Sequence, residues 1–415
     1  MSEKATPYSF GWIDFDKKDR ETALQLIAEN KVHGAVDELG LGTIRDAFAN
    51  FFFPGTSTIQ TRARYFLLVP YWINCVFDDY KKKSITADKY HELYIKKEKS
   101  FIEELNSRQP TESSKKEKGI IGATILNDYD KDRWLVRTIE EIYWAGIWEY
   151  GLIENKKNSG KRLSIREFEK RLLSKNVISR SNSDKKGNVF DDAELDASSA
   201  DDAVFSSISV TIDSTLIDEL DSIKDKPETY YSLRMAKDEA ELLKQKIIDN
   251  ASGSVLAIAL SQDSTNFVKV KSVGDLVDMP AYKDFKYELQ LAKEFSEFAD
   301  FLGKRFNFLL GYKEDDKIGA FKQSPEINPN TIEEIFSKFR LNSDLKKFLK
   351  SCYDAKDDLK ELDKLIIERE ISLKHGRAKI GKMTIDDALV DYNYAYRLDI
   401  AQQIVLDILE GLQNG

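Results

Sequence analysis

Cysteine and histidine are scarce in this chain of 415 residues, which contains two cysteines and three histidines. A structural zinc site usually takes such residues in close sequence pairs, and these five residues form none. Cys75 and Cys352 are too far apart in the sequence to indicate a disulfide framework, and they suit a reducing compartment. The sequence therefore predicts no metal site and no other bound cofactor.

Long hydrophobic runs are also missing. The most apolar window, Tyr65–Ile73, has about half the length needed to span a bilayer, and Pro70 interrupts it. The sequence begins with MSEKATPYSFGW, which lacks the apolar run of a signal peptide after a basic start. We therefore expect a cytoplasmic protein that makes no membrane contact.

An excess of positive charge is absent too. The chain has 63 lysines and arginines against 72 aspartates and glutamates, which gives a net charge of −9. Nonspecific binding to nucleic acid depends on a positive field that attracts phosphate. The total charge therefore argues against such binding by the whole surface, although a local basic patch is compatible with it.

Most hydrophobic residues recur at the spacings of amphipathic helices, and no sustained alternation with period two is found. The clearest pattern runs from Tyr282 to Leu310. The sequence thus predicts a mainly α fold with minor β structure. The predicted helices cover 16–31, 43–53, a segment capped by Thr56–Thr58 and ending at Tyr80, 86–106, 130–150, 164–174, 237–250, 252–260, 282–310, 331–341, 343–374 with a break near Asp354, and 384–412.

The composition changes near the middle of the chain. Residues 179–226 are rich in serine and aspartate and poor in large apolar residues, and 191–202 contain six acidic residues and no basic one. Such a composition is typical of a linker or an irregular excursion. We therefore predict two helical lobes, 1–178 and 227–415, joined by an acidic Ser/Asp-rich linker.

A glycine-rich turn precedes the second predicted helix. Gly40, Gly42 and Arg45 occupy the three positions where a dinucleotide-binding fingerprint has glycines, and the preceding segment is predicted as a helix and not a strand. The turn therefore does not predict a dinucleotide site. Two interpretations stay open: a flexible turn that opens a helix at Thr43, or exposed helix-start amides that hold an anion next to Arg45.

A second glycine motif lies at residues 376–382. It matches a P-loop up to its last position, where Met383 replaces the hydroxyl residue that binds magnesium, and the preceding segment is charged and helical. Nucleotide hydrolysis is therefore not predicted. The motif is interpreted as a solvated basic turn, or as a surface that faces a phosphate or an acidic partner through the cluster Lys374, His375, Arg377, Lys379 and Lys382.

Gln60, Arg62 and Arg64 directly precede the most apolar window of the chain. Arginines that enter a buried region need anionic partners, because an unpaired buried charge is costly. The favoured interpretation is a structural network with carboxylates, for which nearby candidates are Asp37, Glu38 and Asp46. A contact with nucleic acid or another anion is the alternative.

No catalytic signature stands out in the remaining sequence. Ser254 follows Gly253 without the second glycine of a hydrolase elbow, and Cys75 lies in an apolar stretch without an adjacent histidine. We name no catalytic residue and expect no ATPase, hydrolase or nuclease activity. A cryptic metal-dependent nuclease that uses scattered carboxylates is kept as an alternative.

Three N-terminal blocks resemble a bacterial family known only as a domain of unknown function. The blocks are GWIDF at 11–15, DELGLGTIRDAF at 37–48 and FPGTSTIQTRARYFLLVP at 53–70, and looser blocks lie at 233–247, 254–260 and 396–412. The family has no established active site. Its resemblance implies a genomic context, because its members tend to be encoded beside helicases and phospholipase-D-like nucleases in anti-phage defence clusters.

These observations lead to one expected function and two alternatives. We expect a non-catalytic accessory subunit, a scaffold or a sensor, that acts with a helicase or nuclease partner in phage defence. The alternatives are a nucleic-acid-binding module and the cryptic nuclease. The candidate anion- or nucleic-acid-binding residues are Gly40, Gly42, Thr43, Arg45, Gln60, Arg62, Arg64, Lys374, Arg377, Lys379 and Lys382.

Overall fold

The computed structural model describes residues 37–83, 87–112, 116–126, 134–155, 163–169, 210–311, 324–381 and 390–413. Helices dominate these residues, and the predicted mainly α fold class is confirmed. The regular elements are α1 (Gly42–Phe52), α2 (Tyr65–Lys83), α3 (Ala87–Ser107), α4 (Ala123–Leu126), α5 (Ile139–Glu149), β1 (Ile153–Asn155), β2 (Val210–Ile212), α6 (Ser214–Ile223), α7 (Pro227–Tyr230), α8 (Lys237–Asn250), α9 (Val255–Ile258), α10 (Ser264–Phe267), α11 (Lys286–Leu309), α12 (Thr331–Lys338), α13 (Ser343–Asp354), α14 (Leu359–Lys374) and α15 (Leu398–Gln413). Short helices of other types lie at Ala259–Asp263 (π) and at Val273–Leu276, Pro280–Phe285 and His375–Arg377 (3-10).

A nonhelical turn separates α1 from α2. Gly55 follows α1 with a φ of +79°, a conformation that residues with a Cβ rarely adopt. The chain from 56 to 64 is not helical, so α2 begins at Tyr65 and not at the predicted Thr56–Thr58 cap. The first half of α2 is buried on every face, which explains why Tyr65–Ile73 is the most apolar window of the sequence.

The start of α5 is fixed by a capping box. The Thr138 hydroxyl accepts a hydrogen bond from the Glu141 amide at 3.2 Å, and the Glu141 carboxylate accepts one from the Thr138 amide at 3.3 Å. The helix therefore begins later than the predicted residue 130, and residues 127–133 lie outside the described part of the chain.

The β structure is a single short antiparallel ladder among the described residues. Ile153 of β1 pairs with Ile212 of β2. The strand β2 and the helix α6 both belong to the predicted 179–226 linker, so the part of that stretch from 210 onward forms regular structure. Residues 179–209 lie outside the described residues.

Several helices after residue 236 follow the predicted pattern closely. α8 has the predicted bounds, and α11 occupies most of 282–310. The predicted break near Asp354 is confirmed, because α13 ends there and the Asp358 side chain caps α14 by accepting a hydrogen bond from the Lys360 amide at 3.1 Å.

The predicted helix 384–412 is wrong in its first part. Residues 390–396 are not helical, and α15 begins only at Leu398. Buried residues alternate with exposed ones throughout this stretch, and the buried ones are Val390, Tyr392, Tyr394 and Tyr396. This is a period-two pattern typical of extended chain, and the sequence analysis did not identify it. Residues 382–389 lie outside the described residues.

The described chain forms two compact units. Unit 1 consists of the described residues within Met1–Gly42, Ser296–Phe336 and Arg340–Asn393. Unit 2 consists of those within Thr43–Phe295, Ser337–Phe339 and Tyr394–Gly415. Each unit draws residues from both sides of the predicted linker, so the units differ from the predicted lobes 1–178 and 227–415, whose boundaries stay a prediction.

In unit 2, α15 packs closely against α8. Gly411 makes this approach possible, because a Cβ at that position would lie 2.6 Å from the Ala240 Cβ and 3.1 Å from the Met235 Cβ. The last helix of the chain is therefore part of the unit 2 core.

In unit 1, α13 packs on α14. A buried arginine of α11, Arg305, forms an ion pair with Asp363 of α14, and its guanidinium lies 4.7 Å from the centre of the Phe308 ring. The Asn307 side chain donates to the Val390 carbonyl at 2.7 Å and accepts from the Val390 amide at 3.0 Å. These polar contacts connect the C-terminal part of α11 to α14 and to the extended chain.

Candidate functional site

Arg64 is fully buried, and internal partners occupy its guanidinium group. Its Nη2 and Nε donate to the Glu239 carboxylate at 2.8 and 3.1 Å. Its Nη1 donates to the carbonyl groups of Thr229, Tyr230 and Ser232. Five hydrogen bonds to protein oxygens match what a buried arginine needs. Arg64 therefore holds α2, α7 and α8 together inside unit 2.

Arg62 has a second internal carboxylate. Its Nε lies 2.9 Å from both oxygens of Asp407, a residue of α15 that is 3% exposed. The Asp407 carboxylate also accepts hydrogen bonds from the Ala63 amide at 2.7 Å and the Gln403 side chain at 2.8 Å. Burial raises the pKa of Asp407. Arg62 and these hydrogen bonds lower it, but by less, so the pKa stays above its ordinary value. The pairing is thus needed to keep a buried carboxylate charged.

Gln60 completes this internal polar layer. Its side-chain amide donates to the carbonyls of Gly55 and Ile142 at 3.1 and 3.3 Å, and its carbonyl accepts from the Ser57 amide at 3.0 Å. The structure thus places Gln60, Arg62 and Arg64 in contacts within unit 2. The two arginines pair with Asp407 and Glu239, and not with the nearby carboxylates suggested by the sequence.

Arg45 and Thr43 lie at the start of α1 and are closer to solvent. Thr43 is exposed, and the Arg45 side chain is 35% exposed with its Nε 3.0 Å from Asp46 Oδ1. Arg397 shares the same carboxylate at 3.3 Å. Two guanidinium groups therefore share one aspartate in this part of unit 2.

The glycine turn before α1 is closed by its own aspartate. The Asp37 carboxylate accepts hydrogen bonds from the amides of Leu41 and Gly42, both at 2.8 Å. Gly40 has a φ of +73°, and a Cβ there would lie 3.1 Å from the Arg369 guanidinium. The amides proposed to hold an external anion are thus occupied by an internal one.

The structure brings this turn together with the basic segment after α14, within unit 1. Glu38 is almost fully buried, and its carboxylate lies 2.8 Å from Lys379 Nζ and 3.5 Å from Lys374 Nζ. Arg369 donates from its Nε to the Leu39 carbonyl at 3.0 Å. Two of the predicted basic residues therefore share one glutamate from the turn.

A second buried glutamate organises the P-loop-like motif. The Glu370 carboxylate accepts hydrogen bonds from the amides of Lys379 and Ile380, at 2.5 and 3.1 Å. Backbone amides at such positions cradle phosphate in a true P-loop. Here an internal carboxylate stands where a P-loop would hold a phosphate, so these two amides already have an acceptor. Lys382 lies outside the described residues.

Between these anchors, residues 375–377 form an exposed turn that we call the basic tip. His375, Gly376 and Arg377 are all exposed. His375 has a φ of +49°, which is strained for a residue with a Cβ. The last turn of α14 adds exposed apolar surface beside it, since Ile371 is 52% exposed. The basic tip thus presents charged and apolar groups on a firmly anchored loop.

A buried glutamate cluster lies where α5 begins, and the sequence analysis did not find it. Glu98 of α3 is fully buried and accepts hydrogen bonds from the Ile139 amide at 2.9 Å and the Trp134 indole at 2.8 Å. Burial raises the pKa of Glu98 to about 7 even though these hydrogen bonds lower it. This carboxyl group therefore titrates near neutral pH.

Glu140, at the second position of α5, is a second buried carboxyl group of this cluster. It is 1% exposed, and its Oε2 has no hydrogen-bond partner among the described residues. Burial, followed by the charges of Glu169 and Glu98, raises its pKa well above the ordinary value. Burial thus favours the protonated form of Glu140.

Two buried tyrosines and one histidine complete the cluster. Burial raises the pKa of Tyr90 and Tyr94, and the Tyr94 hydroxyl has no partner in the described part of the structure. His91 Nδ1 lies 3.6 Å from the Glu169 carboxylate. The spacing of Tyr90, Tyr94 and Glu98 by four residues places them in one row of α3. That row is the signal that would have pointed to a buried glutamate.

Within the described residues, no group of three or more histidine, cysteine, aspartate or glutamate side chains is arranged to hold a metal ion. No described helix combines the length and the apolar character that crossing a bilayer requires.

Comparison with known proteins gives one match. No curated protein and no solved structure matches the chain. The model of the family of unknown function DUF6361 matches residues 8–226, which is more than half of the sequence. The chain therefore belongs to DUF6361, a family of unknown function.

Proposed function

We propose that the protein is a non-catalytic accessory subunit, a scaffold or a sensor, of an anti-phage defence system in the bacterial cytoplasm. Its proposed partners are a helicase and a phospholipase-D-like nuclease. The defence context comes from the resemblance of the sequence blocks to a family encoded beside such enzymes. We further propose that the basic tip is the surface that binds one of these partners.

The observation that carries this proposal is the way in which the basic tip is presented. Lys374 and Lys379, on either side of the tip, pair with Glu38, and the amides of Lys379 and Ile380 donate to Glu370, so the tip is fixed from the inside. Arg377 and His375 are left facing solvent. An anchored loop with exposed functional groups is typical of a recognition element.

Exposed apolar residues next to the basic tip favour a protein partner. Ile371 and Leu373 are 52% and 37% exposed on the last turn of α14. Protein interfaces combine apolar contact with arginine, which is enriched among the residues that dominate binding energy. A partner with an acidic and apolar surface would fit this combination.

Nucleic-acid binding is the alternative and has less support. Specific affinity for nucleic acid grows with the number of phosphates that cations contact. Arg62 and Arg64 are occupied by Asp407 and Glu239, and Lys374 and Lys379 by Glu38. Few of the candidate cations are therefore directed to an external strand.

The proposal is tested by co-purification. The tagged protein is expressed together with the helicase and the nuclease encoded beside it, and the retained proteins are identified. Wild type should retain at least one of them, and Arg377→Glu should weaken this binding about tenfold or more. Arg340→Glu is the matched control, because Arg340 is an exposed arginine of the same unit outside the basic tip.

Three results would contradict the proposal. Wild type that retains neither enzyme would remove the accessory role. Salt-sensitive binding to a short DNA duplex, weakened by Arg377→Glu, would instead favour a nucleic-acid-binding module. Metal-dependent cleavage of DNA by the isolated protein would favour the nuclease.

A further inference from the structure

Residues 163–169 form a short segment that docks on α5 in unit 2. The Leu163 carbonyl accepts a hydrogen bond from the Trp144 indole at 2.7 Å. The ring of Phe168, which is fully buried, lies 5.2 Å from the Trp144 ring in an edge-to-face arrangement. Trp144 is thus the anchor on which both ends of the segment rest.

The segment also carries Glu169 into the buried glutamate cluster. The Glu169 carboxylate has an oxygen without a hydrogen-bond partner, although His91 Nδ1 lies 3.6 Å away. Glu140 likewise has an unpartnered oxygen and is almost fully buried. Unmet acceptors in a buried site cost free energy, and the cost is highest when the groups are charged.

The charged and titratable groups that the structure describes around this contact come from three elements. Those of α3 are Tyr90, His91, Tyr94 and Glu98, those of α5 are Glu140 and Glu141, and those of the segment are Arg166 and Glu169. Among these groups the two cations, His91 and Arg166, are exposed. Among the described residues, the buried side of the contact therefore contains carboxyl groups without a buried counter-charge.

We propose that the 163–169 segment is a proton-dependent latch, which stays docked on α5 while Glu140 is protonated and is released when the buried Glu98 and Glu140 carboxyl groups ionise next to Glu169. Ionised Glu98, Glu140 and Glu169 repel one another in a site that water does not screen well. Release of the segment exposes these groups to solvent and relieves the repulsion. The latch is independent of the proposed partner and of the defence context.

The direction of the pH dependence follows from the docked-state pKa values. A raised pKa means that the docked state binds the proton more tightly than the released state, so docking weakens as the pH rises. For Glu98 the pH window over which docking weakens runs from the ordinary pKa of 4.5 to about 7, and the pKa of Glu140 is raised in the same direction. The nearby Glu169 carboxylate raises the pKa of His91, so this ion pair is also lost as the pH rises. All three groups favour docking at lower pH.

The latch is tested by ¹⁹F NMR of the full-length protein labelled with 5-fluorotryptophan. The Trp144 signal is assigned from the spectrum of Trp144→Phe. Between about pH 6 and about pH 9, this signal should move in wild type as the indole loses Leu163 and Phe168. In Glu140→Gln, which cannot ionise at this position, the transition should be absent or its midpoint raised by about one pH unit or more.

Glu92→Gln is the matched control, because Glu92 is an exposed glutamate of the same helix α3. It should titrate like wild type. A Trp144 signal that does not move in wild type would overturn the latch, as would an unchanged midpoint in Glu140→Gln. If Glu140→Gln does not fold, Glu169→Gln removes the charge of the segment itself, and an unchanged midpoint in that variant would equally overturn the proposal.

Discussion

Arg62 and Asp407 form a buried ion pair although 345 positions separate them in the chain. The pair joins the turn before α2 to the last helix, α15. The Asp407 carboxylate also accepts a hydrogen bond from the Ala63 amide at 2.7 Å, so one residue of α15 binds both the backbone and a side chain of this turn. The structure at the start of α2 is therefore determined in part by the C-terminal end of unit 2.

Replacement of Arg62 by alanine should destabilise the protein. Asp407 would be left buried without its counter-charge, and breaking such a pair costs roughly 3–5 kcal/mol. Thermal unfolding of Arg62→Ala should show a melting temperature several degrees below wild type, or the variant should be insoluble. Arg45→Ala is the control. Because Arg45 is partly exposed, its replacement should change the free energy of unfolding by no more than about 0.5 kcal/mol.

The opposite outcome has a clear meaning. If Arg62→Ala melts like wild type but no longer protects cells from phage, the arginine acts on an external partner and the structural interpretation is wrong. A double-mutant cycle with Asp407→Ala then measures the coupling between the two residues directly. A coupling near zero would give the same conclusion.

The sequence was informative about the arginines and uninformative about their partners. Two arginines ahead of a buried helix predict carboxylate partners, and the structure pairs both with carboxylates. The partners are Asp407 and Glu239, far along the chain, because tertiary packing selects them. Proximity in the sequence pointed instead to Asp37, Glu38 and Asp46. In the structure, Asp37 accepts hydrogen bonds within the glycine turn, Glu38 pairs with two lysines, and Asp46 pairs with Arg397.

The same reasoning applies to the helices. Spacings of three and four residues predicted α8 and α11, because each has one continuous apolar face. Residues 390–396 were predicted as helix, although their tyrosines recur at every second position. The buried glutamates of α3 and α5 were missed, since charged residues on a helix usually indicate a solvent-exposed face and only the tertiary contact buries them.

Gly411 should not tolerate a side chain. In Gly411→Ala the new methyl group would overlap Ala240 unless α8 and α15 move apart, and overpacking of this kind typically costs about 1–3 kcal/mol. Chemical denaturation should show a lower midpoint than wild type. Gly253→Ala is the control, because no atom lies within 4 Å of a Cβ there, and a loss as large as that of Gly411→Ala would contradict the packing argument.

Limited proteolysis should first cut the chain within 179–226, as the composition of that stretch predicts. Within it, residues 210–226 should be cut more slowly, because β2 pairs with β1 and α6 packs on α2. Mass spectrometry of the first fragments identifies the site. A first cut inside α11 would contradict the predicted linker.

His375 allows the strain of the basic tip to be measured. Its φ of +49° and ψ of −126° lie in a region that glycine adopts readily, and such strain costs on the order of 1–3 kcal/mol. His375→Gly and His375→Ala both remove the exposed imidazole, but only glycine relieves the strain. After allowance for the greater unfolded-state freedom of glycine, His375→Gly should be more stable than His375→Ala by about 1 kcal/mol. Thermal or chemical unfolding of the two variants provides the comparison. An alanine variant that is equally stable would show that the tip relaxes without cost, and the basic tip would then not be the fixed recognition element that we propose.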